Sequence, residues 1–175
     1  MKHVPAPSQA PSESEIRSLL PGAQFHDAWV VQAGDPRLSA LGQFLKASAA
    51  TPNWVNELMG LRNRLVALVG LKNLGSLPAV QPEESYKPGQ RVGIFTLIKN
   101  SENEVLLGDC DKHLDVTLSV HKSQPGLNSA VMITVTTVVH VHNLLGRLYM
   151  LPVAPMHKLI VPAVLQAVAR PPHAD

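Results

Sequence analysis

Leu114, Val116, Leu118 and Val120 fall on one parity of the chain, and His113, Asp115, Thr117, Ser119 and His121 fall on the other. Extended backbone points successive side chains to opposite faces, so this alternation predicts a half-buried strand over His113–His121. A period of two also marks Arg91–Ile98, Glu104–Gly108 and Val131–His142 as strands. Lys99–Asn103 and Lys122–Asn128, the latter with Pro125-Gly126, supply the turns between them. Near the N-terminus, Phe25, Trp29 and Val31 share a parity within Ala23–Ala33, which predicts a first strand ended by Gly34-Asp35-Pro36.

Between these strands the period lengthens. Leu38, Leu41, Phe44 and Leu45 repeat at helical spacing, with Asp35 as a candidate cap. Thr51-Pro52 opens a second helix, with Thr51 as cap and Pro52 at the first position. Trp54, Leu58, Leu61, Leu65 and Leu68 form its apolar stripe. Residues 76–89, with three prolines, read as a loop or edge segment. Helical spacing returns from Leu144 to Arg170, capped by Asn143. Pro152, Pro155 and Pro162 predict kinks or two segments there.

The order is therefore strand, two helices, antiparallel meander, long C-terminal helix. A meander with one apolar face needs a cover, and the last helix is the only element long enough to supply it. The fold class expected is α+β, a helix-grip (START-like) arrangement in which the sheet wraps a long C-terminal helix, with two helices inserted after the first strand. One domain over residues 21–170 accounts for the length. Residues 1–20 are rich in Pro and Ser, hold few large apolar side chains, and predict a disordered or loosely attached arm.

Composition narrows the chemistry. The chain is 45% hydrophobic and 16% charged, which favours a deep interior or apolar cavity over a charged binding surface. A formal charge of +2 and only two Trp, two Tyr and three Phe give nucleic acid no basic, aromatic-lined track. One cysteine, Cys110, allows no intrachain disulfide and suits the cytoplasm. Its two flanking Asp argue against a thiolate nucleophile. The uncharged run Ser123–Gly146 is polar and alternating, so it reads as turn plus strand and no membrane span is expected.

Gly108-Asp-Cys-Asp-Lys-His-Leu-Asp115, Val139-His-Val-His-Asn-Leu-Leu-Gly-Arg-Leu-Tyr149 and Pro155-Met-His-Lys-Leu-Ile-Val161 resemble one bacterial family. Phe25-His-Asp-Ala-Trp29 and the Trp54…Leu61-Arg-Asn-Arg64…Gly70-Leu71 helix add to the match. It is the domain-of-unknown-function family numbered two thousand eight hundred and sixty-seven, and the resemblance spans roughly residues 21 to 165. The resemblance implies kinship with the polyketide-cyclase and plant-allergen type of helix-grip protein. It brings no reaction and no catalytic residue.

One polar constellation can carry chemistry. A hairpin centred between Pro125 and Gly126 sets Leu118 opposite Ile133 and Val116 opposite Val135, so the apolar faces coincide. The same register sets Asp115 opposite Thr136, Asp111 opposite His140 and Asp109 opposite His142. Asp111, His113, Asp115, His140 and His142 then gather at one end of one face. Three readings stay open: a solvated outer face, an acid–base or binding site with Asp orienting His, and a divalent metal site. Arg147, as partner of Asp109 or Asp111, and Tyr149, at the sheet edge, stand beside the group as structural residues or as polar groups at a cavity mouth. Trp54 reads as core, Arg62 as a solvated or paired cation, and His157 as an ordinary helix histidine.

No cofactor or metal is assigned, and whether the protein is an enzyme stays open. The expected partner is a small apolar or amphipathic molecule held between sheet and C-terminal helix, and a homodimer is compatible with the sequence. The alternative is a cyclase- or hydrolase-like enzyme using His and Asp as acid and base. Where His113, His140 and His142 point separates the two.

Overall fold

The computed structural model describes residues 4–68, 81–124 and 130–171, and of residues 64–68 the backbone alone. Its strands are β1 (Ala6–Pro7), β2 (Phe25–Gln32), β3 (Arg91–Val92), β4 (Phe95–Asn100), β5 (Glu104–Cys110), β6 (Leu114–Lys122) and β7 (Met132–Val141). Its helices are α1 (Ala40–Ala49), α2 (Asn53–Leu68) and α3 (Leu144–Leu165). The strands form one antiparallel sheet in the order β1-β2-β7-β6-β5-β4-β3, so the first long strand pairs with the last. With two helices after that strand and a long one at the end, the architecture is the α+β, helix-grip-like one expected.

The inner face of the sheet is the apolar parity. Leu107, Leu118, Val120, Ile133, Val135 and Val31 pack against Leu41 and Leu45 of α1 and against Leu165 and Val168 at the end of α3. Each helix is started by a side chain or backbone group that meets an orphan N–H. Ser39 accepts from the Gly42 amide at 3.0 Å to cap α1, and Asn143 accepts from the Gly146 amide at 3.1 Å to cap α3. Asp35 is not the cap of α1. It makes a local turn instead, accepting from the Arg37 amide and from its guanidinium at 2.9 Å. That bond holds its carboxyl down at about 2.

Several expectations give way. The strand expected over Arg91–Ile98 is two strands, β3 and β4, folded back at Gly93, whose φ of +63° suits glycine. Helix α2 begins at Asn53, with the Pro52 carbonyl taking the first amides, and its Trp54 and Leu61 are exposed while Val55 is buried. Of the apolar stripe, Trp54 and Leu61 are thus exposed and Leu58 is half-buried, so Trp54 is not core; the side chains of Leu65 and Leu68 lie outside the described residues. Arg62 is paired, donating to the Tyr149 hydroxyl at 2.9 Å and stacking on its ring. Helix α3 is one run despite Pro152, Pro155 and Pro162.

The hairpin register also differs. Leu118 faces Thr137 and Val120 faces Val135, four positions from the pairing expected on β7. An even shift keeps each side chain on its face, so the alternation of hydrophobicity could not detect it. The loop residues 125–129, on which that expectation was centred, lie outside the described residues.

The N-terminal arm, expected to be loose, is docked. Its β1 pairs with the free edge of β2, and the Ser8 amide donates to the Ala28 carbonyl at 2.8 Å. A short 3-10 turn, Glu15–Leu19, then lies across the outer face, where Ile16 is fully buried against Leu106 and Val138. The anchor is the buried carboxylate of Glu104. It accepts from Ser14 at 2.5 Å, from Ser119 at 2.6 Å and from the Glu15 amide at 3.0 Å. One isoleucine and one buried hydrogen-bond node do what the sparse composition of the arm gave no reason to expect.

Candidate functional site

The arm changes the meaning of the polar face. Ser119, His121, Thr134 and Thr136, on the same parity as the expected constellation, are buried on this outer side. The face is therefore not simply solvated.

The seven candidate residues do not form one site. Asp111 closes the β5–β6 turn, accepting from the His113 amide at 2.6 Å and the Leu114 amide at 3.1 Å. His113 is buried, with Nδ1 against the Asn143 side chain and no hydrogen-bond partner at Nε2. Asp115 pairs with His142 at 3.0 Å in partial exposure, and His140, opposite Asp115 in the ladder, reaches the Pro21 carbonyl at 3.4 Å. The expected pairings of Asp111 with His140 and Asp109 with His142 are absent. Asp109 instead meets Arg91 at 2.9 Å, Arg147 is exposed on the first turn of α3, and Tyr149 accepts from Arg62. Among the described residues no three His, Cys, Asp or Glu side chains converge in a way that could hold a metal ion.

The polar groups that do meet lie on the other face, under α3. Asp27, on the inward parity of β2, spends both carboxylate oxygens. Its Oδ1 lies 3.1 Å from His157 Nε2 of α3, and its Oδ2 accepts from Trp29 Nε1 at 3.1 Å. Phe25, two residues earlier on the same face, meets the His157 ring edge-on at 5.5 Å between centroids. The imidazole is thus fixed by a carboxylate and an aromatic edge, as an acid–base or binding histidine must be. Both partners of the pair are mostly but not fully covered.

The ladder extends this site across the sheet. Asp27 faces Thr137, Thr137 faces Leu118, and Leu118 faces Leu107, giving one row with two polar groups followed by leucines. Thr137 is 4% exposed, and its hydroxyl has no hydrogen-bond partner. A buried hydroxyl without a partner is unusual and costs about 1–3 kcal/mol unless something satisfies it. The next row reads Phe25, Val139, Val116, Asp109, with Arg91 on that last carboxylate. Three strand spacings of roughly 4.8 Å put its two ends about 14 Å apart. Val116, Leu114 and Val141 in this region are only partly covered, whereas Leu118 and Val120 beneath α1 are buried. Towards the start of α3 the inner face thus keeps some exposure at Leu114, Val116 and Val141, while Val139 and Thr137 between them are buried.

Both halves of this dyad lie in the conspicuous motifs of the chain, but far apart in sequence. Phe25-His-Asp-Ala-Trp29 and Pro155-Met-His-Lys each stood out, but Asp27 and His157 are 130 residues apart. The usable signal was parity: Asp27 sits between Phe25 and Trp29 on the apolar face, where an unpaired acid is costly. It implied a buried partner from the covering helix.

No characterised protein and no solved structure matches the chain. A family model does, over residues 19–164, which takes in both Asp27 and His157 as well as the whole sheet from β2 to β7. The chain belongs to the family described as Protein of unknown function (DUF2867).

Proposed function

We propose that the protein binds a small, largely apolar molecule in the cleft between the inner sheet face and α3, holding its one oxygen-bearing group at Asp27, His157 and Thr137. The observation that carries this reading is the buried, unpartnered Thr137 hydroxyl directly opposite Asp27. A ligand hydroxyl or carbonyl placed between Thr137 and His157 would satisfy that group, while the partly covered valines take the apolar body. The low charge of the chain and the apolar rows of the sheet support the same view.

Trp29, bonded to Asp27, is a built-in reporter. With Trp54 replaced by phenylalanine, its fluorescence can be followed while medium-chain alcohols and ketones are titrated in. Saturable binding is expected, weakened about tenfold by Thr137→Val through loss of one hydrogen bond. Valine keeps the shape and the strand preference, so the fold should persist. Equal affinity in wild type, Thr137→Val and His157→Leu would remove the site from the cleft.

The Asp27–His157 pair favours a second reading, an enzyme that moves a proton on the bound molecule with His157 as base and Asp27 as its orienting carboxylate. A bound ketone would then exchange its α-protons with D2O faster in wild type than in His157→Gln. Binding without enhanced exchange leaves a carrier.

A further inference from the structure

Helix α3 presents an outward apolar stripe from Leu144 to Leu159. Leu144, Leu148, Leu151 and Leu159 are 70%, 54%, 71% and 61% exposed, and Pro152 and Pro155, also exposed, lie among them. Their spacing of four, three and eight residues keeps them within one stripe of a helix with 3.6 residues per turn. Outward helix faces normally carry charge, and a contiguous apolar patch marks a contact surface.

Charge says what contacts it. Arg147 and Lys158 are exposed and eleven residues apart, about three turns, so both project along the same margin of the stripe. From residue 116 to residue 174 the chain has no Asp or Glu at all. α3 itself carries no acidic side chain, so a second copy docking antiparallel, stripe to stripe, would set these cations against one another. An anionic bilayer surface supplies the counter-charge along the margin and an apolar layer for the leucines.

We infer that α3 lies on the surface of an anionic membrane, with its leucine stripe in the interface and Arg147 and Lys158 among the headgroups. By length and composition α3 would also suffice to cross a bilayer. Its inner side argues for lying flat, because spanning would pull His157 from Asp27 and Tyr149 from Arg62. Lying flat leaves the sheet and the Asp27–His157 cleft intact on the side away from the leucines.

Co-sedimentation with vesicles of phosphatidylcholine alone and of phosphatidylcholine mixed with phosphatidylglycerol tests this. Binding to the mixed vesicles is expected, falling as salt rises. Arg147→Gln and Lys158→Gln should each weaken it about fivefold, the equivalent of roughly 1 kcal/mol per cation at an anionic surface. Leu148→Ser with Leu151→Ser should abolish it, and both sites are exposed, so an unchanged melting temperature certifies the fold. A protein that stays in the supernatant with both vesicle types overturns the inference. So does light scattering that gives a dimer which the serine variant converts to monomer, since the stripe would then be an interface between copies.

Discussion

Replacing Ile16 by alanine removes the one large apolar side chain that the N-terminal arm buries against the sheet. Ile16 has no exposed surface, and it sits on Val138 and Leu106, which are themselves buried on the outer face. Truncating a fully buried isoleucine to alanine costs about 2–5 kcal/mol, the lost transfer energy plus the residual cavity. The lower part of the range, about 2–3 kcal/mol, applies here because a short surface turn can settle partly into the gap. In a domain of this size each kcal/mol moves the melting temperature by about 2–4 °C, so a fall of about 4–12 °C is expected. Urea unfolding of wild type, Ile16→Ala and Leu19→Ala would measure it. Leu19, in the same turn, is 36% exposed, so its truncation should stay within about 0.5 kcal/mol. The midpoint should shift with the slope unchanged, since the surface exposed on unfolding is nearly the same. If Ile16→Ala moved the midpoint no further than Leu19→Ala, the arm would not be docked, and the outer sheet face would meet water.

Two further outcomes follow from close packing and from charge. A Cβ at Gly146 would collide with the His113 backbone carbonyl and come within 2.8 Å of a Val141 methyl. Gly146→Ala should therefore cost about 1–3 kcal/mol despite alanine's better helix propensity, measured by thermal unfolding, and a stabilised variant would show that α3 does not seat there. Asp35 is held at about 2, chiefly by its hydrogen bond from Arg37, below its ordinary value of 3.8. Its ionised form thus stabilises the fold above about pH 4, and that contribution is lost as pH falls from about 4 towards 2. Asp35→Asn should flatten the acid limb of a stability–pH curve in that window, and an equally steep limb in the variant would refute the assignment.

The alternating pattern of residues 113–121 was sufficient to place the sheet and its faces, because a period of two is dictated by backbone geometry alone, but not the cover, which α1 shares with the end of α3. It could not resolve the register. Moving β7 by four positions leaves Leu118, Val120, Val135 and Ile133 all inward, and only the turn could choose between the alternatives. Every His–Asp pairing built on that register fell with it. The outer face misled for a related reason. Ser119 and Thr136 look like solvent-facing residues in a strand, yet they are buried because a distant segment covers them through Ser14 and Ile16. Hydrophobic content per residue predicts whether a segment can form its own core. It does not predict whether one isoleucine will find another element's apolar patch.

The position of the candidate site follows from the same topology. β2 comes first among the long strands but pairs with the last, so both ends of the chain converge on it. β1 closes its free edge, the 3-10 turn backs the sheet from outside, and α3 crosses its inner face. Asp27 therefore meets His157 only when β2 has paired with β7 and α3 has packed back on β2. A ligand that engages the assembled dyad and Thr137 binds the native state alone, and at a hundredfold excess over its dissociation constant it would add about 2.7 kcal/mol to stability. That gain should vanish in His157→Leu. It should survive in variants of Asp115 or His142, whose ion pair lies partly exposed on the outer face of the sheet, opposite to the one that carries Asp27 and Thr137.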